Sequence, residues 1–261
     1  MKTLLICHED AALDREVIPR WLASFSDLAG VLVLKETGSR RRDRIRREIS
    51  RSGLLRFLDV VAFRAYYRLR LRRKDRAWED SVRSELERRY PVSAEEPPVL
   101  VTASPNSEEA EQFIRAAGPD VIIARCRTLL EERIFSLAST GTFVLHPGIT
   151  PEYRNSHGCF WALANRDLDR VGMTLLRIDA GVDTGPVYGY YTYDYDERRE
   201  SHAVIQKRMV LENLDAVRDK LLAVHRGEAA PLDTTGRESG AWGQPWLTKY
   251  VRWKLAARKA S

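Results

Sequence analysis

Apolar residues in the first part of this chain come in short unbroken runs, separated by stretches where they recur every third or fourth position. The run "KTLLIC" (2–7) has the length and continuity of a buried strand. Between residues 11 and 26, Leu13, Val17, Trp21, Leu22 and Phe25 fall at helical spacing, and "GVLVLKE" (30–36) predicts a second strand. Further on, "PPVLVT" (97–102), "DVIIARC" (120–126) and "GTFVLH" (141–146) read as strands. "NSEEAEQFIRAAG" (106–118) reads as a helix capped by Asn106 or Ser107 and closed by Gly118. From Val171 to Tyr195 two β-rich runs flank a loop rich in Asp and Gly, and residues 200–226 return to helical periodicity. The tail after Gly227 is interrupted by Pro and Gly and ends in "WLTKYVRWKLAARKAS", a short basic amphipathic helix. Strands alternating with helices predict an α/β fold, a mostly parallel twisted sheet with helices on both faces. Such sheets bind ligands at the carboxyl ends of their strands, and His146 falls at one such end.

Composition adds little to this outline. A 261-residue chain with 44% hydrophobic content can bury a real core. Cys7, Cys126 and Cys159 are odd in number and form no CxxC pair. That pattern indicates neither a disulfide framework nor a zinc knuckle and fits a reducing cytoplasm. The apolar run in "MKTLLICHED" is too short for a secretory leader, and no stretch approaches the ~20 apolar residues of a spanning helix.

Charge changes the picture more. The net charge is +6, yet residues 40–76 alone hold fifteen Lys and Arg against four acids, so the rest of the chain is mildly acidic. Within this segment "GLLRFLDVVAFRAYYRLRLRR" (53–73) mixes Leu, Val, Phe and Tyr with Arg at near-helical spacing. Four readings stand open: a helix packed on its own domain, peripheral contact with an anionic membrane through 40–76, binding of tRNA or another polyanion, and a homo-oligomer contact.

The chemistry concentrates in two places. His146 and His157 lie in "HPGITPEYRNSHGCFW" (146–161), and Asp183 lies in "DAGVDTGP" (179–186). A histidine can donate a hydrogen bond to a developing oxyanion while a nearby carboxylate orients it or takes a proton, which suits acyl transfer. Two histidines and a carboxylate also satisfy a facial metal triad. Any one of these histidines taken alone fits an ordinary structural role. Asp179 is the weaker carboxylate candidate, and Arg154 could hold an anionic part of a substrate.

From Asp120 to Tyr188 the chain resembles the folate-dependent formyltransferases, which include glycinamide ribonucleotide, methionyl-tRNA and sugar-amine N-formyltransferases. "DVIIARC", "HPGITPEYRNSHGCFWALANRD" and "VGMTLLRIDAGVDTGP" follow the order and near-spacing of the family's elements, among them HPSLLPxYRG, GxT and LDTG. The resemblance implies a Rossmann-type formyltransferase domain over 1–226 with a basic helical insertion at 36–95, and a C-terminal extension over 227–261. It implies metal-free transfer of a formyl group from 10-formyltetrahydrofolate to a primary amine of a small molecule, with an amino sugar as the leading class. His146 and Asp183 would be catalytic, with His157 as a further loop histidine. The folate would lie along Arg125, Cys126, Arg127, Leu129 and Leu130, and Arg154 and Asn155 would meet the acceptor. No second β-barrel domain like that of the tRNA-acting members is recognisable, which makes tRNA the lesser partner. The family's YRG reads YRN here. The family also has Asn two residues before the catalytic histidine, where this chain has Val144. Loss of one oxyanion donor costs on the order of 100-fold in rate. Either Asn155 or His157 compensates, or the protein is a formylfolate hydrolase or a formylfolate-binding protein.

Overall fold

The computed structural model describes residues 1–36, 46, 48–50, 53–91 and 96–259. Parts of the 36–95 insertion, including the arginines at 40–42, lie outside the described residues. In chain order the elements are β1 (Lys2–His8), α1 (Ala12–Glu16), α2 (Ile18–Ala23), β2 (Asp27–Leu34), α3 (Leu54–Tyr66), a π-helical turn (Tyr67–Leu71), α4 (Arg72–Arg89), β3 (Val99–Thr102) and α5 (Glu108–Ala117). There follow β4 (Val121–Arg125), α6 (Glu132–Phe135), β5 (Gly141–His146), β6 (Arg154–Asn155), α7 (Gly158–Asn165), β7 (Met173–Arg177) and β8 (Val187–Tyr191). The chain closes with α8 (His202–Leu211), α9 (Leu214–His225), β9 (Ala241–Trp242) and α10 (Leu247–Lys259).

Seven strands form one sheet in the order β3-β2-β1-β4-β5-β7-β8. The first five are parallel, and β7 and β8 join antiparallel at one edge. The mostly parallel α/β sheet is the expected one. Because side chains alternate across a strand, Leu5, Cys7, Val121, Ile123, Phe143 and Leu145 feed one core, while Leu4, Ile6, Ile122 and Ala124 feed the other. The second core is closed by Ala110 and Ile114 of α5 and Ile134 of α6. The first takes in α1, α2, α7, α8 and α9.

Local signals set most element boundaries. Ser107 accepts a hydrogen bond from the Ala110 N–H and caps α5, and Gly118 ends it at φ +55°. The one helix expected over 11–26 is instead two, because Pro19 lacks an N–H and its ring would strike the preceding turn of a continuous helix.

The insertion and the C-terminal segment both enter the first core. Phe63 of α3, Leu86 of α4 and Tyr250 and Trp253 of α10 are buried in it. The helix that starts in the basic segment runs on through the π-turn to Arg89, well beyond the expected residue 73. Asp75 of α4 is buried and accepts from Ser201 Oγ (2.6 Å), the N-cap of α8. Desolvation raises its pKa, and the Ser201 and Tyr67 hydroxyls partly counter that. Lys207 of α8 pairs with Glu79 of α4. No helix among the described residues is long and apolar enough to cross a membrane.

Candidate active site

At the carboxyl ends of β1, β4 and β5 a cavity of about 450 Å3 opens. His146 ends β5 and is 4% exposed. Its Nε2 lies 2.8 Å from the Tyr153 carbonyl oxygen. A carbonyl can only accept, so Nε2 carries a hydrogen. The other nitrogen, Nδ1, faces Asp183 Oδ2 at 3.5 Å and is the place where a second proton would sit. Tyr153 is a firm anchor: its phenol donates to Asp167 (2.9 Å) and its ring stacks on Trp242. Gly148 makes the contact sterically allowed, since a Cβ there would lie 2.5 Å from the Tyr153 oxygen and 2.7 Å from His146 Nε2.

Asp183 reaches this point from the loop between β7 and β8, with Oδ2 accepting the Asn155 N–H at 2.7 Å. Three of the four non-glycine residues with positive φ among the described residues are Asn155 (75°), His157 (58°) and Asp183 (52°). This backbone conformation is costly for side-chain-bearing residues and clusters at functional sites.

His157 lines the same cavity and sits at the N-terminus of α7. Its Nδ1 is 3.2 Å from Gln206 Nε2, and desolvation pushes its pKa down to about 4, so the ring is neutral at ordinary pH. The neighbouring His202 ring, packed among Phe63, Tyr67, Phe160 and Tyr250, is likewise held well below its usual range by burial. His146 and His157 have separate partners, and no group of three or more His, Cys, Asp or Glu among the described residues is placed to hold a metal.

The segment after β4 forms the facing wall. Arg125, Cys126, Arg127 and Leu129 line the cavity, and Leu130 lines an adjoining slot of about 100 Å3 with Val144, Asp179 and Val182. Arg125 is held by Asp14 (3.0 Å) and the Leu145 carbonyl (2.6 Å), and Arg127 pairs with Asp10. Burial raises the Cys126 thiol to about 11, so it stays protonated. Asn106 does not cap α5; its amide accepts from the Glu131 N–H and donates to the Leu129 carbonyl, which fixes this wall. Val144 is half-buried where cavity and slot meet, an apolar side chain on the same strand face as His146.

Three candidates are engaged elsewhere. The Arg154 guanidinium donates to the Val182 carbonyl (2.8 Å) and Ser239 Oγ (2.9 Å), and so ties the Asp183 loop to the C-terminal segment. Asn155 lines the cavity, but its side-chain amide donates to the Trp242 carbonyl across the β6–β9 pair. Asp179 accepts from the Gly181 N–H and Thr184 Oγ1 and shapes its own loop. Sequence reasoning missed His8, Asp14, Gln206 and Gln244, all cavity-lining. His8 ends β1 and carries a readable signal, a polar residue at the carboxyl end of a parallel strand. Gln206 and Gln244 carry none.

A second cavity, about 430 Å3, shares His157 and Gln244 with the first and is walled by Val60, Phe63, Arg64, Tyr67 and Arg68 of the insertion.

A family model described as formyl transferase matches residues 74–221. Methionyl-tRNA formyltransferase of Thermotoga sp. (strain RQ2) is 32% identical over 130 residues, 46% of this chain and 41% of that protein. GDP-perosamine N-formyltransferase of Brucella melitensis is 36% identical over 89 residues, 34% of each chain. The chain thus spans about two-fifths or less of the length of these curated relatives. Among solved structures, phosphoribosylglycinamide formyltransferase from Anaplasma phagocytophilum superposes with a TM-score of 0.56 at 10% identity, covering 92% of this chain and 97% of that one. A sugar N-formyltransferase from Shewanella gives 0.55 at 11% identity, covering 98% and 88%. At such identities these likenesses concern the fold.

Proposed function

Because the chain belongs to the formyl transferase family, we propose that it moves a formyl group from 10-formyltetrahydrofolate to the primary amine of a small molecule, an amino sugar or its nucleotide conjugate. The observation that carries this reading is the His146–Asp183 pair, set in a cavity at the carboxyl end of β5 with one imidazole nitrogen anchored and the other facing a carboxylate. The sugar assignment is supported by the similarity to a GDP-perosamine N-formyltransferase.

The chemistry follows from the anchoring. With Nε2–H committed to Tyr153, a proton on Nδ1 has two places to go, the Asp183 carboxylate or an oxygen in the cavity. At 3.5 Å the Nδ1–Asp183 contact is longer than a hydrogen bond, and this leaves a proton carried on Nδ1 able to turn toward the formyl oxygen as charge develops there. The acceptor nitrogen, uncharged, attacks the formyl carbon and forms the new C–N bond. Asp183 takes the amine proton, directly or through a water. The bond from the formyl carbon to the folate N10 breaks, N10 takes up a proton, and tetrahydrofolate leaves. We place the folate ring at the slot between 126–130 and 178–183, whose walls include the apolar Leu129, Leu130, Val144 and Ile178. With Val144 unable to donate and the Asn155 amide turned to Trp242, we assign His157, of the two residues expected to compensate, as the supporting donor.

The test is turnover of 10-formyltetrahydrofolate with and without amino-sugar nucleotides. Amine-dependent formation of tetrahydrofolate supports transfer. Formate release without amine means a hydrolase, and saturable binding without turnover means a formylfolate-binding protein. His146→Ala and Asp183→Asn should each lower transfer at least ~100-fold, and His157→Ala should do less. Near-full turnover in the first two, folded, would remove the assigned site. No step is routed through a metal, so chelators should leave the rate unchanged.

A further inference from the structure

Helix α3 has more apolar surface than its packing uses. Val60 and Phe63 face the core, yet Leu54, Leu58, Val61 and Ala65, with Leu69 of the π-turn that follows, form a separate exposed stripe at spacings of three and four. Leu55 lies beside it. Exposure reaches 84% at Leu55 and 83% at Leu69, and 66%, 56% and 43% at Leu54, Leu58 and Val61. A helix apolar on both sides belongs in an interior or at a boundary between two media. Helix α10 adds Val251 and Leu255, also exposed. They share a helix face with Thr248, which binds Asp59 of α3. The second strip is therefore turned toward the first.

The charge around these strips has one sign. From 54 to 74 there are seven cations and one acid, Asp59, which is taken up by the Thr248 N–H and hydroxyl. Helix α10 carries Lys249, Arg252, Lys254, Arg258 and Lys259 and no acid. Arg70, Arg73 and Arg252 are exposed. A nucleic acid would use the cations but not the leucines. A bilayer with anionic headgroups uses both, as the apolar stripe enters the acyl boundary while the cations meet the headgroups.

We propose that the face built by α3 and α10 docks this protein onto the surface of an anionic lipid bilayer. Arg64 of α3 and Arg68 of the π-turn that follows it lie on the wall of the cavity that adjoins the candidate site. Docking brings that cavity close to headgroup level; this consequence rests on the formyl-transfer reading, whereas the docking does not.

Co-sedimentation with vesicles of phosphatidylcholine alone, and of phosphatidylcholine mixed with phosphatidylglycerol, tests the proposal at low and physiological salt. Wild type is expected to pellet with the anionic vesicles, less so as salt rises. A Leu55→Gln/Leu58→Gln/Leu69→Gln variant changes only exposed side chains and should lose roughly 100-fold in partitioning. An Arg70→Gln/Arg73→Gln/Arg252→Gln variant should lose about fivefold per cation, on anionic vesicles only. Both should melt like wild type and turn over a water-soluble amine at the same rate, so a failure of docking and a failure of formyl transfer read out separately. The proposal is overturned if wild type ignores anionic vesicles or if the leucine variant binds them equally well. It is also overturned if the leucine changes dissolve a dimer of this chain, or if wild type binds tRNA but no vesicle.

Discussion

Gly148→Ala is the sharpest probe of the site, because it introduces one methyl group into the contact that orients His146. The added carbon would sit 2.7 Å from His146 Nε2 and 2.5 Å from the Tyr153 oxygen, where ordinary contact begins at 3.4 Å. Both of these contacts, and a third at 2.9 Å to the Gly158 Cα, are too short, so the backbone around Gly148 and the imidazole must both give. The Tyr153 carbonyl is poorly placed to do so, with its N–H bonded to the Ile149 carbonyl (2.8 Å), its phenol on Asp167 and its ring stacked on Trp242. The imidazole is the softer partner, and a retreat of about 0.7 Å is of the order that costs ~100-fold in rate when a catalytic group is misplaced. Overpacking should lower stability by about 1–3 kcal/mol. Turnover per folded molecule, measured beside a thermal melt, separates the two effects. Gly30→Ala is the control: its Cβ would meet Phe113 at 2.9 Å in the other core, so stability should drop without loss of turnover. A folded Gly148→Ala protein with wild-type turnover would show that the Nε2–Tyr153 contact does not set the geometry of the reaction.

Val144→Asn is expected to lower the rate by about tenfold, since the amide would enter an apolar wall without a ready partner; steady-state assays showing a clear gain would mean that the site lacks only its usual donor. Acid should destabilise the fold. His157 is held at about 4 against an ordinary 6.5, so below pH 6.5 the unfolded chain binds protons that the folded one refuses. Stability present at neutral pH is therefore lost as pH falls toward 4, by about 2 kcal/mol at pH 5 from His157 alone. His202 adds in the same direction. Melting temperatures across this range should fall on acidification, and a His157→Gln/His202→Gln variant should flatten the slope; a wild-type profile that rises toward acid would refute the assignment.

Elements with strong local signals are legible in the amino-acid sequence. The five parallel strands are continuous apolar runs, and α5 carries its own cap and stop in Ser107 and Gly118. His146 and Asp183 stand out as candidates too, one at a strand end and both in segments whose motifs resemble a family's. The break at Pro19 is equally local, because a proline two residues into a helix marks a start, although the apolar spacing across it suggests one continuous helix. Arg154 is not readable. Its direction is set by the pairing of Arg154–Asn155 with Ala241–Trp242, eighty-seven residues away, which turns the guanidinium toward Ser239 and Val182.

Strand-helix order and the amphipathic character of the insertion are written locally in the chain, because they rest on periodicity and turn chemistry within one segment; the candidate pair His146 and Asp183 is marked by motifs that resemble a family's. What each side chain faces is settled by tertiary packing alone. His8, Asp14, Gln206 and Gln244 enter one cavity from four distant segments, brought together by the crossing of parallel strands and the return of the C-terminal segment. The same packing covers Phe63 with Tyr250 and leaves Leu55 and Leu69 bare. An apolar residue on a helix is drawn equally to any partner that removes it from water. Which partner arrives depends on packing between segments far apart in the chain, and no local pattern encodes it.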